Sequence, residues 1–140
     1  MISKKEIEVR YHETDQMGVI YHANYIIWCE LGRIQFLHDL GFEFAELEER
    51  GILFPVHEVQ VKYHSPVRFG EAITVYTIIE YFSAIRTVYH HEIKNDQGEL
   101  KASAKTTVTC VTKDDFKLAR LDRVAPDVYQ AYKKIVEKEQ

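Results

Sequence analysis

The chain has 140 residues, 46% of them hydrophobic and 29% charged, with a formal net charge of -4. That is enough apolar material for one self-sufficient core, so a single domain over residues 1–140 is expected, and a disordered or fibrous chain is excluded. The acidic balance, with no Lys/Arg block, argues against nucleic acid as a partner, while a few local cations could still hold an anionic ligand.

The first stretch, MISKKEIEVRYH, has basic residues but no apolar signal core, and no run elsewhere approaches membrane-spanning length, so a cytoplasmic protein without a membrane span is expected. Ile7, Val9 and Tyr11 alternate over residues 6–12, the period of a half-buried strand. Asp15 and Gly18 are the turn formers that follow. Residues 22–40 carry Ile26, Ile27, Trp28, Leu31, Ile34 and Leu37, which predicts a long helix apolar on most sides, with Asn24 as its N-cap and Gly41 at the glycine position past its end. FEFAELEERGI reads as a short helical turn stopped by Gly51. Cys29 and Cys110 lie far apart and fit no metal or redox spacing, so both read as reduced core residues.

From residue 52 the period becomes two. Val59, Val61 and Tyr63 alternate up to Ser65 and Pro66, and residues 71–82 are rich in Ile, Val, Thr and Tyr. Ile85, Thr87, Tyr89 and Ile93 share one face, NDQG at 95–98 is a hairpin turn, and the strand beyond sets Leu100, Ala102, Ala104, Val108 and Cys110 against Lys101, Ser103 and Lys105, with Thr106 blurring the alternation. Four successive strands joined by short connections predict an antiparallel meander. A last amphipathic helix is predicted from about Pro126 and Asp127, with Val128, Tyr132, Ile135 and Val136 inward. One long helix against one curved sheet is an α+β architecture. The sheet can cover only one side of that helix, so copies of the chain are expected to cover the rest, as a homo-oligomer.

The densest chemistry lies in YHETDQMGVIYHANY, residues 11–25. His12, Asp15 and His22 could supply a metal set, but their spacing is unlike the common zinc patterns, and no metal is expected. Asp15 as a turn residue and His22 beside the positive end of the helix is the plainer reading. Against it stands the density: a carboxylate, an imidazole and a helix N-terminus share one loop, which can set a base beside free backbone N–H groups for attack on a carbonyl. There is no phosphate loop, GxSxG elbow or recognisable Cys/His pair. Cys29 falls inside the helix, and His90-His91 read as strand residues rather than ligands. In a hydrolase, Asp15 would have to carry the chemistry.

VRYHETDQMGVIYHANYIIWCELGR resembles the opening of the hotdog-fold acyl-CoA thioesterases of the 4-hydroxybenzoyl-CoA thioesterase type. The pattern is a strand, an Asp followed three residues later by Gly, a hydrophobic pair, and an aromatic/His-x-Asn-Tyr entry to the central helix, matched by Asp15, Gly18, Val19-Ile20, Tyr21-His22, Asn24 and Tyr25. YHSPVRFGEAITVYT is similar to that family's second segment, and the likeness spans roughly residues 6–113. The resemblance implies the hotdog fold, a long central α-helix wrapped by a five-stranded antiparallel β-sheet. It implies hydrolysis of an acyl-CoA thioester to a free acid and CoA, without a cofactor. Asp15 would be nucleophile, through a mixed anhydride, or general base for water. The helix start at His22 would polarise the carbonyl through its backbone N–H, its ring having an open role. Met17, Gly18 and Tyr25 would line the acyl channel, Gly18 because a side chain would obstruct close approach, and Ser65, Pro66 and Arg68 would approach a neighbouring subunit's active site, with Arg68 meeting a CoA phosphate. Glu30 and Arg33, one helical turn apart, are expected to pair structurally, and His12 and Glu13 to be bystanders. Relatives of this type are usually tetramers built from two dimers, so the resemblance implies a homotetramer, with a dimer as the alternative. Two rivals remain. A hotdog hydratase or dehydratase would use Asp-x-Asn-Pro-x-His, which is absent here, and a non-catalytic acyl-binding subunit would not need Asp15.

Overall fold

The computed structural model describes residues 1–139. Five strands form one antiparallel sheet in the order β1-β4-β5-β6-β3: β1 is Ser3–Ile7, β3 Val56–Tyr63, β4 Ile73–Phe82, β5 Arg86–Asn95 and β6 Leu100–Thr109. A separate two-stranded ladder joins β2, Ile52–Leu53, to β7, Val111–Thr112. The helices are α1, Asn24–Asp39, α2, Phe44–Glu49, α3, Leu121–Val124, and α4, Pro126–Lys138.

Only three of the four expected meander strands are consecutive neighbours. β4 has two edges; β5 takes one and β1 takes the other, with Ser3 opposite Thr77 and Ile7 opposite Ile73. β3 therefore pairs along the free edge of β6, from Val56 opposite Val108 to Tyr63 opposite Ala102, and residues 64–72 cross back to β4. The first strand is also shorter than the 6–12 expected. Its partner begins at Ile73, so pairing stops at Ile7, and Tyr11–Glu13 coil into a 3₁₀ turn in which the Glu13 carboxylate accepts the Arg10 N–H at 2.7 Å.

Helix α1 packs against one face of the sheet, with Trp28, Cys29, Gly32, Phe36 and Leu37 buried. Its end is as predicted: Gly41 has φ +93°, its N–H donates to the His38 carbonyl, and the Phe42 N–H reaches back to Leu37. Its start is not, because Ala23 precedes the first turn and Asn24 makes no cap; the Asn24 amide donates to the Glu13 carbonyl at 3.0 Å. Closest approach to the sheet falls at Gly32, where a Cβ would lie 2.7 Å from Thr77 Oγ1 and 2.9 Å from Val75 Cγ1. Beneath it His91 is fully buried between Thr77 Oγ1 at 2.9 Å and Thr106 Oγ1 at 3.2 Å. Burial first, then His90 and Arg33, pushes the His91 pKa down to about 3, so the ring is neutral. Thr106 thus interrupts the apolar alternation because it faces inward to hold this imidazole.

Two apolar clusters flank that polar point. One joins α4 to the sheet through Phe36, Tyr89, Val128 and Tyr132, with the Tyr89 and Tyr132 hydroxyls 2.7 Å apart. The other gathers Ile7, Val9, Ile20, Tyr25, Trp28 and Val67 under the start of α1. The outer face of α1 stays open: Ile26, Ile27, Leu31 and Ile34 are each more than a third exposed.

Candidate active site

The loop between β1 and α1 doubles back on itself. Asp15 N–H donates to the Val19 carbonyl at 2.8 Å and Gly18 N–H to the Asp15 carbonyl at 3.1 Å, while Asp15 Oδ1 accepts the Met17 N–H at 2.8 Å. Gly18 sits at φ +78°, a conformation side chains resist. Asp15 Oδ2 makes no hydrogen bond or ion pair among the described residues. The turn is tied to the body at Ile20, whose N–H donates to the Val67 carbonyl, and at Tyr21, whose N–H donates to Glu13, both at 2.8 Å.

Glu13 is the joint of this region rather than a bystander. Its carboxylate accepts the Arg10 N–H and, at 3.1 Å, the Trp28 indole N–H, and its carbonyl accepts Tyr21 N–H and the Asn24 amide. Loop and helix are thereby locked together just above the buried Trp28. The first turn of α1 closes with Asn24 N–H on Tyr21 O at 3.0 Å and Tyr25 N–H on His22 O at 3.3 Å, which leaves the N–H groups of His22 and Ala23 without an acceptor among the described residues.

A cleft of about 280 Å³ opens between this loop and the end of β3. Asp15, Met17, Ile20, His22 and Tyr25 form one wall, and Tyr63, His64, Ser65 and Pro66 the other. The second wall is held from below by Lys101, which is 5% exposed: its ammonium contacts the Pro66 carbonyl and Glu71 at 3.1 Å and Glu99 at 3.5 Å. Burial alone would raise the Glu71 carboxyl, but the Arg68 N–H and Lys101 outweigh it and hold it below the usual range. A carboxylate with one unengaged oxygen, lining the same apolar slot as a helix start with unengaged donors, is equipped to attack or hydrate a polarised carbonyl.

Residues 9–131 match the family described as the Thioesterase-like superfamily. This chain belongs to it. The Bacillus subtilis (strain 168) protein "Putative acyl-CoA thioesterase YneP" is 45% identical over 95% of this chain and 96% of its own length. "Acyl-CoA thioester hydrolase YbgC" of Escherichia coli O157:H7 is 30% identical over 75% of this chain and 78% of its own. The structure of a DHNA-CoA thioesterase from Staphylococcus aureus superposes with a TM-score of 0.96 at 43% identity, covering 99% of this chain and 93% of that one. The fold is the hotdog fold, and the chain is a thioesterase-family enzyme.

Within this hotdog thioesterase, four of the six expected site residues line the cleft: Asp15, His22, Met17 and Tyr25. Met17 is 77% exposed at the mouth, whereas Tyr25 is 3% exposed and packs edge-on to Tyr63 as part of the floor. Burial raises the Tyr25 phenol, partly offset by a hydrogen bond to the Val67 backbone. Gly18 and Arg68 do not line it. A Cβ on Gly18 would meet nothing within 4 Å, so the glycine is there for its positive φ and not to clear space. Arg68 is exposed in the next turn, where its N–H donates to Glu71 at 2.6 Å.

Tyr63 and His64 line the cleft without having been singled out from the sequence. Tyr63 closes the β3 alternation with Val59 and Val61, which marked it as inward; at the strand end it is 49% exposed. The signal available was their place at the head of the second matching segment, YHSPVRFG. His64 is braced by Ser103 Oγ at 3.0 Å from its Nε2. Glu30 and Arg33 do pair, with Arg33 buried and its guanidinium over the Phe44 ring at 5.2 Å. Burial pushes the Cys29 thiol up to about 12 and Cys110 to about 11, so neither is a thiolate nucleophile. Among the described residues no three His, Cys, Asp or Glu side chains come together as a metal set, and His12, Asp15 and His22 do not form one. No helix of the described residues is long and apolar enough to cross a membrane.

Proposed function

We propose that this chain hydrolyses an acyl-CoA thioester to a free acid and CoA in the cleft between residues 15–25 and 63–66. One observation carries the proposal: Asp15, with one free carboxylate oxygen, and His22, whose N–H is unengaged as is that of Ala23 next to it, line the same apolar slot. The thioester carbonyl oxygen accepts from the helix start, where the dipole favours developing negative charge. Asp15 then acts in one of two ways. As nucleophile it bonds to the carbonyl carbon, CoA leaves as thiolate, and water splits the resulting anhydride. As general base it takes a proton from water, whose oxygen bonds to the carbon as the C–S bond breaks. One oriented oxyanion donor contributes about 3 kcal/mol and a positioned base roughly 10²- to 10⁴-fold in rate, which suffices for an already reactive thioester. Arg68, exposed just beyond the Pro66 wall, is the cation we assign to a CoA phosphate.

The names of the 45% and 30% identical relatives support acyl-CoA as the substrate class. The exposed Ile26, Ile27, Leu31 and Ile34 of α1 support assembly with further copies of the chain, because four such side chains on one helix face seek cover from water.

The test is thiol release from a panel of acyl-CoAs varied in length, branching and aromaticity, including DHNA-CoA because of the Staphylococcus aureus relative. Release from at least one is expected. Release from none would leave an acyl-binding subunit, and an enoyl product would indicate a hydratase.

A further inference from the structure

Tyr63 stands at the end of β3 directly over the start of α1. Its hydroxyl donates to the His22 carbonyl at 2.9 Å, and its ring lies edge-on to Tyr25 and His22, with centroids 5.0 Å and 6.3 Å away. Burial, then Cys29, pushes its phenol up, so the hydroxyl keeps its proton at neutral pH.

The His22 carbonyl does not need this bond for satisfaction, since it already accepts the Tyr25 N–H at 3.3 Å. A second donor on one carbonyl instead acts on the whole peptide unit. The other end of that unit is the Ala23 N–H, which has no acceptor among the described residues. Amide resonance couples the two ends: drawing electron density onto the oxygen leaves the N–H more positive and the unit stiffer. The same bond ties the β3 wall of the cleft to its α1 wall.

We propose that Tyr63 is a positioning residue that holds the His22–Ala23 peptide and with it the helix start, so that the His22 N–H at the cleft, with the polarised Ala23 N–H beside it, meets the thioester oxygen. The inference rests on the thioesterase reading above. Polarisation matters most when charge gathers on the carbonyl oxygen, so its effect falls on turnover and not on substrate binding.

The test is Tyr63→Phe, which deletes only the hydroxyl and keeps the ring on Tyr25. With an acyl-CoA the parent hydrolyses, kcat should fall roughly three- to tenfold while KM and Tm hold. Affinity for an S-alkyl-CoA thioether, which has no carbonyl, should not change. 3,5-Difluorotyrosine at position 63 offers a second route: its hydroxyl ionises at lower pH, so kcat should drop in one alkaline step that the parent lacks. An unchanged kcat in Tyr63→Phe, or a rise in KM with a matching loss of thioether affinity, would overturn the proposal while leaving the thioesterase reading standing. A parent that released thiol from no acyl-CoA would overturn both.

Discussion

Helix α1 meets polar side chains both at its start and at its middle, and these two places differ in what is left over. At the middle, under Gly32, both ring nitrogens of His91 are taken by Thr77 and Thr106, and the site is closed to water. At the start, Asp15 keeps one carboxylate oxygen and the helix keeps two N–H groups unengaged, and Asp15 and His22 line a cleft. Titratable residues are no guide by themselves. Unused hydrogen-bonding capacity beside open space separates a place where chemistry can happen from one that holds the fold.

Substitutions at the two places should therefore fail in different assays. Asp15→Asn is expected to lower kcat roughly 10²- to 10⁴-fold, with Tm unchanged because the Asn oxygen still accepts the Met17 N–H. Acid should act on the middle instead. The His91 pKa is 6.5 unfolded and about 3 folded, so only the unfolded chain takes up this proton as pH falls from 6.5 towards 3. Unfolding in urea at stepped pH should show this group contributing a loss of up to about 1.4 kcal/mol per pH unit in that window and nothing above it. His91→Gln should flatten this component. Gly32→Ala should cost about 1–3 kcal/mol in the same assay, since the clash with Thr77 and Val75 exceeds the gain of about 1 kcal/mol in helix propensity. Lys101→Met, which releases the Pro66 wall, should raise KM roughly fivefold with kcat close to the parent value.

The contrast also explains what could be read in advance. Period-two alternation located β3, β5 and β6, because a pleated strand with one buried face writes that pattern into its own residues; β4 was marked by its Ile, Val, Thr and Tyr content, and the alternation at 6–12 overlapped β1 only at Glu6 and Ile7. It could not place β3, whose neighbour depends on β1 having already taken the edge of β4, a fact held by residues seventy positions away. Asn24 had the right chemistry for a cap, yet its amide found the Glu13 carbonyl first. Glu13 looked idle because a lone loop carboxylate carries no periodic signal; its meaning lies in the indole of Trp28. The first wall of the cleft was legible as one continuous motif. The second wall, Tyr63 to Pro66, belongs to the site only once the chain has folded, and only its likeness to a second family segment pointed there.

The most direct measurement is the infrared stretch of a ¹³C-labelled thioester carbonyl bound to Asp15→Asn, which should hold substrate without turning it over. Polarisation by the free N–H groups at His22 and Ala23 should move that band to lower wavenumber than for the same acyl-CoA in water. A band at or above its position in water, with the ligand bound, would contradict the assignment of the helix start as the carbonyl site.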